Sequence, residues 1–255
     1  DFALDSLPTL LVTSPRDRIR RLEDVLLVPQ ITPREREALE DSIASQENIS
    51  ALVEGIGGIS TYPAIVSSGG LRDVLVTASH EWLHNYLFFR PLGQSYRKDS
   101  DMSTINETTA NLFGEEMGDL VYARLTGEAP RVRTPGVPPE PCPQDQFCFQ
   151  REMRQTRAQA EQLLAQGKVE EAEAYMEERR RVFVENGYLI RKLNQAYFAF
   201  HGTYADSPSS VSPIYEQLLE MRRASPSLGA FIHRIAGVSS YSEFMDMLQR
   251  IQASR

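Results

Sequence analysis

The chain has 255 residues, of which 41% are hydrophobic and 24% charged, and its formal net charge is -8. This length allows one large domain or two lobes around a cleft, and the hydrophobic content is too high for a disordered chain. The acidic balance argues against a nucleic-acid partner, and no apolar run reaches the ~18 to 20 residues of a transmembrane helix.

The first 75 residues alternate between patterns typical of strands and of helices. Residues 9–13 and 24–29 are short apolar runs bounded by turn residues, which predicts two strands. Thr32 followed by Pro33 predicts the N-cap and first position of a helix. Residues 49–66 are mostly β-branched and apolar with two central glycines, which predicts extended segments around a turn or bulge.

The pattern then becomes helical. Apolar residues recur at helical spacing from Leu71 onward, and Pro91 is expected to stop this helix. A polar connection follows, and a second helix is predicted to begin after an N-cap at Ser103 or Thr104 and to end at Gly127.

A proline-rich stretch suggests how the chain is divided. Residues 127–149 contain six prolines, which is typical of a linker or extended loop. We therefore expect an N-terminal α/β lobe over residues 1–127, a linker over 128–150 and a helical C-terminal lobe over 151–255 that closes a cleft. The predicted fold class is α+β, with a small mixed sheet at the N-terminus.

The two cysteines bear on the cellular compartment. Cys142 and Cys148 both lie in the proline-rich stretch, where they could form a local disulfide or remain two free thiols. A disulfide would indicate an oxidising compartment, and the chain opens with Asp1, as a trimmed or mature chain would. The expected location is extracytoplasmic, as a released or membrane-anchored ectodomain with any anchor upstream, and the alternative is cytoplasmic.

Residues 76–88 contain two histidines and a glutamate at a spacing that suits metal binding. His80 and His84 are four residues apart, so on a helix they lie within ~40° of one another and can bind one ion. Glu81 is rotated by about 100° from His80, where it would flank the ion and accept a proton from water. The competing interpretation is a helix that buries two histidines.

A catalytic zinc needs a third protein ligand, and the second predicted helix offers one. Glu107 follows His84 by 23 residues, which leaves room for a turn and an antiparallel return. Asn111 is one helical turn further on, where it could hydrogen-bond the free ring nitrogen of a ligand histidine. The competing interpretation of Glu107 is an ordinary carboxylate in the first turn of a helix.

These residues resemble the gluzincins, the zinc peptidases whose third ligand is a glutamate on a following helix. The resemblance rests on His80-Glu81-x-x-His84 and on the Asn-Glu-x-x-Ala element at residues 106–110. It implies zinc bound by both histidines and Glu107, with Glu81 as general base. Asn111 departs from the thermolysin-like members, which carry an aspartate there.

The layout is also similar to that of bacterial proteins assigned as zinc aminopeptidases. Gly114 follows the Asn-Glu-x-x-Ala element, and residues 193–204 include an Asn-x-Ala segment and a downstream tyrosine. The similarity covers about 40 residues, and the Gly-x-Met-Glu-Asn element of one aminopeptidase branch is absent. Endopeptidase and exopeptidase activity therefore both stay open.

A peptidase also needs a donor for the oxyanion and a place for the substrate. Tyr204, then His201, are the favoured donors because they lie near an expected helix end. Gly57, Gly58 and Ile59 are expected to hold a peptide substrate by β-augmentation, since glycines permit close backbone approach.

Two side-chain environments are also expected. Trp82 should belong to the core. Glu115, Glu116 and Asp119 should form a solvated helix face.

The leading interpretation is a zinc metallopeptidase that acts on a peptide or protein substrate. An alternative from another class is a non-catalytic interaction or scaffold protein that keeps the same fold. A zinc hydrolase of a non-peptide amide is a third possibility.

Overall fold

Six short strands lie within the first 66 residues, and the described residues that follow are mostly helical. The structure, a computed structural model, describes residues 1–130, 143 and 146–253. The strands are β1 (Phe2–Leu4), β2 (Thr9–Pro15), β3 (Asp24–Leu27), β4 (Ile49–Gly55), β5 (Gly58–Ile59) and β6 (Ala64–Val66). The predicted α+β fold class, with a small N-terminal sheet and a helical remainder, is confirmed.

The helices of the described residues begin in the N-terminal third and dominate the chain after the strands. They are α1 (Pro33–Glu47), α2 (Leu71–Leu87), α3 (Pro91–Gln94), α4 (Ser100–Thr126), α5 (Phe149–Ala165), α6 (Val169–Glu185), α7 (Gln195–His201), α8 (Ile214–Arg223), α9 (Leu228–Ile235) and α10 (Tyr241–Ala253). None of the helices described here is both long and apolar enough to cross a bilayer.

The described residues pack into two compact units, each formed by segments that are distant in sequence. Residues 1–7, 56–130 and 213–253 belong to the first unit, and the remaining described residues belong to the second. The predicted division into lobes at 1–127 and 151–255 does not follow this grouping, because β2 and β4 pack against α7. Most of the predicted linker at 128–150 lies outside the described residues.

Of the two cysteines, Cys148 lies within the described residues. Cys142 lies outside the described residues, whereas Cys148 immediately precedes α5. Cys148 is disulfide-bonded, so the free-thiol alternative is wrong for this residue.

The second unit is built on an antiparallel sheet with the order β3-β2-β4. Helix α1 packs against β4, and it begins with a capping box in which Thr32 and Glu35 satisfy each other's backbone N–H groups. Glu40 on this helix is fully buried and accepts a hydrogen bond of 2.6 Å from the backbone N–H of Val53. Arg191 pairs with the same carboxylate, so the buried charge is compensated.

The first unit carries a smaller mixed sheet beside its helices. Strand β6 is central, with β1 parallel on one side and β5 antiparallel on the other. Strand β1 was not predicted, because three residues are too few to show an alternating pattern. Helix α2 packs against β5 and β6, which brings the sheet close to residues 71–87.

The ends of α2 and α4 differ from the predicted ones. Helix α2 ends at Leu87, and Pro91 opens α3, since proline is well suited to the first position of a helix. Helix α4 begins one turn early because the Asp99 side chain caps it by accepting from the N–H of Met102, at 2.8 Å. Gly127 ends α4 with a φ of 77°, as its lack of a Cβ allows.

Candidate metal centre

Helices α2 and α4 lie side by side and run in opposite directions. Arg72, near the start of α2, pairs with Asp119 near the end of α4, and His84 near the end of α2 faces Glu107 near the start of α4. The antiparallel return predicted from the spacing of the histidines and Glu107 is therefore present.

The prediction of a solvated Asp119 is wrong, because this carboxylate is only 3% exposed and is bound to Arg72.

Two glycines of α4 permit an unusually close approach to α2. A Cβ at Gly114 would lie 2.8 Å from the carbonyl oxygen of Val76 and 3.0 Å from the Cβ of His80. A Cβ at Gly118 would lie 2.7 Å from the Cα of Val76. Any side chain at these two positions would push the helices apart, so the glycines determine how near α4 comes to the histidines.

His80, His84 and Glu107 converge on a small volume between the two helices. Their potential ligand atoms all lie within 4.8 Å of one another. The Nε2 atoms of the two histidines are 2.9 Å apart, and Oε2 of Glu107 is 3.6 Å from the first and 3.4 Å from the second. The helical spacing and the close packing of α4 thus bring the three sequence-predicted ligands together.

The size and chemistry of this group can be compared with what a metal ion requires. Zinc is bound by histidine nitrogens and carboxylate oxygens at ~2.0–2.2 Å. A point in the plane of these three atoms lies about 1.9 Å from each of them, close to that bond length. Two imidazoles and a carboxylate also suit other first-row transition metals, so the donor set is compatible with zinc without being exclusive to it.

The electrostatics of the centre favour a charged carboxylate. Burial opposes the ionisation of Glu107, but the two imidazoles outweigh this effect and hold the pKa of that carboxyl well below its usual range. Burial likewise opposes a charge on His84, but Glu107 raises the pKa of its imidazole. The centre therefore presents an anionic oxygen to a cation, whereas a protonated imidazole must release its proton before its ring nitrogen can bind the ion.

Glu81 lies next to the three candidate ligands and is only 7% exposed. Burial raises the pKa of its carboxyl, and the neighbouring His80 and His84 oppose that shift. A Cβ added at Gly58 would lie 2.5 Å from Oε1 of Glu81, so the carboxylate fills the space that this glycine leaves. A buried carboxyl with a raised pKa is suited to accept and release a proton.

The predicted substrate segment lies beside Glu81. Gly58 and Ile59 form β5, an edge strand of the small sheet, and the carbonyl oxygen of Gly57 accepts from the N–H of Ser67 at 3.1 Å. Within the described residues β5 pairs with β6 alone, which leaves its other edge without a strand. The role of these residues in holding a substrate stays a prediction.

Two residues at the centre were not singled out from the sequence. The hydroxyl of Tyr96 donates to Oε1 of Glu107 at 2.5 Å. Asn106 is buried next to Glu107 in sequence, and its side-chain contact with His84 contributes to raising the pKa of that imidazole. Tyr96 sits in a short polar connection, where no periodic pattern points to a buried contact. Asn106 was identified in the sequence only as part of the Asn-Glu-x-x-Ala element, without a role of its own.

Asn111 lies one turn beyond Glu107 on α4 and is half-buried. Its predicted hydrogen bond to a ligand histidine stays a prediction.

The predicted oxyanion donors belong to the second unit. His201 is the last residue of α7, and its ring lies 4.3 Å from the ring of Tyr197. Burial lowers the pKa of His201 to about 4, and its Nε2 atom is buried without a partner. The ring of Tyr204 lies 6.5 Å from that of Phe200. The catalytic role of His201 and Tyr204 stays a prediction.

Trp82 was expected in the core, and this prediction is wrong. Its side chain is 51% exposed and stacks on Tyr86 and Phe113 along an apolar cavity of about 590 Å³. On α2 this residue is rotated by about 200° from both His80 and His84. The cavity therefore lies on a different face of the helix from the ligand atoms.

The chain matches no protein-family model, no curated protein and no solved structure. The residues of the candidate metal centre are therefore the basis on which a function can be proposed.

Proposed function

We propose that the chain is a zinc-dependent peptidase of the gluzincin type, with His80, His84 and Glu107 as ligands and Glu81 as general base. The observation that carries this proposal is the buried carboxyl of Glu81 beside three converging ligand atoms. Buried histidines alone would need no third ligand and no second buried acid. The combination is what metal-assisted hydrolysis requires.

The zinc ion and Glu81 have different roles in the proposed reaction. A zinc ion held by these three ligands would lower the pKa of water towards 7 and polarise the scissile carbonyl. Glu81 accepts the proton of the attacking water and passes it to the leaving amine. Its raised pKa supports this role, because a group that must both take and give a proton works best with a pKa near the operating pH.

The substrate lies along the open edge of β5 in this proposal. A peptide added there as a further strand would be held by backbone hydrogen bonds, and Gly57, Gly58 and Ile59 would flank it. Backbone recognition of this kind places few demands on the substrate's side chains. The proximity of Gly58 to Glu81 supports this arrangement, since it puts the edge strand next to the general base.

Peptide cleavage by the zinc-loaded protein and by Glu81→Gln tests the proposal. The substitution removes the proton acceptor but no metal ligand, so we expect full zinc content with a large loss of cleavage of a mixed peptide library. Glu185→Gln is a matched control, because it makes the same change at an exposed position at the end of α6. Its activity should equal that of the wild type.

Two results would count against the proposal. Zinc below one equivalent in the wild type, or equal cleavage by Glu81→Gln, contradicts the assigned roles. A zinc-loaded protein that leaves every peptide intact contradicts peptidase activity, and directs attention to an interaction role or to hydrolysis of a non-peptide amide.

A further inference from the structure

Tyr96 reaches the metal centre from the short connection between α3 and α4. The chain is tightly folded there, since a Cβ at Gly93 would lie 2.0 Å from the carbonyl oxygen of Leu87. The N–H of Tyr96 donates to the carbonyl oxygen of Gly93 at 3.2 Å, and that of Lys98 donates to Ser95 at 3.0 Å. The position of the tyrosine is therefore set by the backbone that follows α2.

The two oxygens of Glu107 have different neighbours. Oε1 accepts from the hydroxyl of Tyr96 at 2.5 Å. Oε2 faces the Nε2 atoms of His80 and His84, at 3.6 and 3.4 Å. Because the side chain is buried, an oxygen without a donor would be costly, and the tyrosine removes that cost for Oε1 alone.

We infer that Tyr96 is a positioning residue that makes Glu107 a one-oxygen ligand. The inference rests on the proposed metal centre. A carboxylate without this donor can turn about its last side-chain bond and offer both oxygens to a cation. With Oε1 held by the phenol, Oε2 alone points towards the histidines, and a coordination position stays free for the reaction.

Tyr96→Phe tests this role, because it removes the hydroxyl and keeps the ring. We expect Zn²⁺ affinity, measured by competition with a chromophoric chelator, to fall about 10-fold or more. The metal-free variant should unfold at a lower temperature than the wild type, because Oε1 loses its donor, but it should still fold, since the ring still fills its space. Tyr62→Phe is the matched control, because Tyr62 is 86% exposed, and its Zn²⁺ affinity should not change.

The absorption spectrum of Co²⁺ in place of zinc gives a readout that a purely structural role would not alter. Cobalt with four ligands absorbs visible light more strongly than cobalt with five or six. If the freed carboxylate of Tyr96→Phe binds through both oxygens, the Co²⁺ bands should weaken relative to the wild type. Tyr62→Phe should give the wild-type spectrum.

The outcomes separate this inference from the proposed function. A wild type that binds Zn²⁺ and cleaves peptides, beside a Tyr96→Phe variant with the same Zn²⁺ affinity and Co²⁺ spectrum, overturns the role of Tyr96 alone. A wild type that takes up no Zn²⁺ overturns both. A wild type that binds Zn²⁺ without cleaving, with weaker binding in Tyr96→Phe, supports the role of Tyr96 and contradicts the peptidase.

Discussion

Gly114 of α4 lies directly against His80 of α2, so that a Cβ on the glycine would stand 3.0 Å from the Cβ of the histidine. The carbonyl oxygen of Val76 would be nearer still, at 2.8 Å. Two backbones meet here without room for a methyl group. The geometry of the candidate metal centre thus depends on a residue that contributes no candidate ligand.

Gly114→Ala should therefore weaken both the fold and metal binding. Alanine favours a helix over glycine by ~1 kcal/mol, but the overlap with α2 should outweigh this and lower the free energy of unfolding by about 1–3 kcal/mol. Zn²⁺ affinity should fall as well, because His80 must shift. Urea unfolding and a zinc titration measure the two effects. Gly69→Ala, where no atom lies within 4 Å, is the control, and equal behaviour of the two variants would refute the prediction.

Two adjacent glycines provide a paired test of the general base. A Cβ at Gly58 would overlap Oε1 of Glu81, at 2.5 Å, whereas a Cβ at Gly57 meets no atom within 4 Å. If the peptidase proposal holds, Gly58→Ala should lower the cleavage rate roughly 10- to 100-fold, because the carboxylate must move. Zinc content should not change, since no ligand is displaced. The rates are compared at saturating peptide, where a weaker substrate contact at Gly57 does not limit cleavage. A rate for Gly58→Ala that equals that of Gly57→Ala would then argue against the placement of Glu81.

His201 should make the protein less stable in acid. Its pKa is lowered by burial from 6.5 to about 4 in the folded chain, so the unfolded chain binds the proton first as the pH falls. The stability linked to His201 is present above about pH 6.5 and is lost progressively down to about pH 4, by on the order of 3 kcal/mol. His201→Leu should reduce this loss in urea unfolding between pH 7 and pH 4.

The matched control for this effect is His233→Leu, because His233 is exposed in α9. This variant should keep the acid-dependent loss of the wild type. If His201→Leu shows the same pH dependence as the control, then the buried imidazole is not the source.

Removal of only one partner of the Glu40–Arg191 ion pair should lower the free energy of unfolding. Arg191→Met leaves the fully buried Glu40 without its main partner, although Lys192 still contacts it at 3.1 Å. We expect a loss of about 3 kcal/mol in the free energy of unfolding, near the lower end for a buried pair. Arg181→Met is the control, since Arg181 is 69% exposed and should change stability by less than about 1 kcal/mol. Equal effects of the two substitutions would contradict this expectation.

The elements with strong local signals could be predicted from the sequence. Thr32 and Pro33 mark the start of α1, and Gly127 marks the end of α4, because capping and glycine geometry act over a few neighbouring residues. The convergence of His80, His84 and Glu107 was also predictable. Helical spacing joins the first two, and a short connection between antiparallel helices limits where the third can lie.

Other features depend on tertiary packing and carry no local signal. Trp82 looks like a core residue by its type, but the helix also has apolar residues on other faces, and the tryptophan is exposed. Asp119 looks like a surface acid, yet Arg72 across the α2–α4 contact makes its burial tolerable. Tyr96 contacts Glu107 only because α3 folds back tightly after α2. The residues of a polar connection show no sequence pattern that predicts such a contact.

The most direct test of the metal centre is the X-ray absorption spectrum of the purified protein loaded with one equivalent of Zn²⁺. We expect only nitrogen and oxygen neighbours at ~2.0–2.2 Å, with the scattering pattern of two imidazoles. His84→Ala should lose one imidazole contribution. A sulfur neighbour at ~2.3 Å, or a spectrum unchanged in His84→Ala, would contradict the assignment of His80, His84 and Glu107 as the ligands.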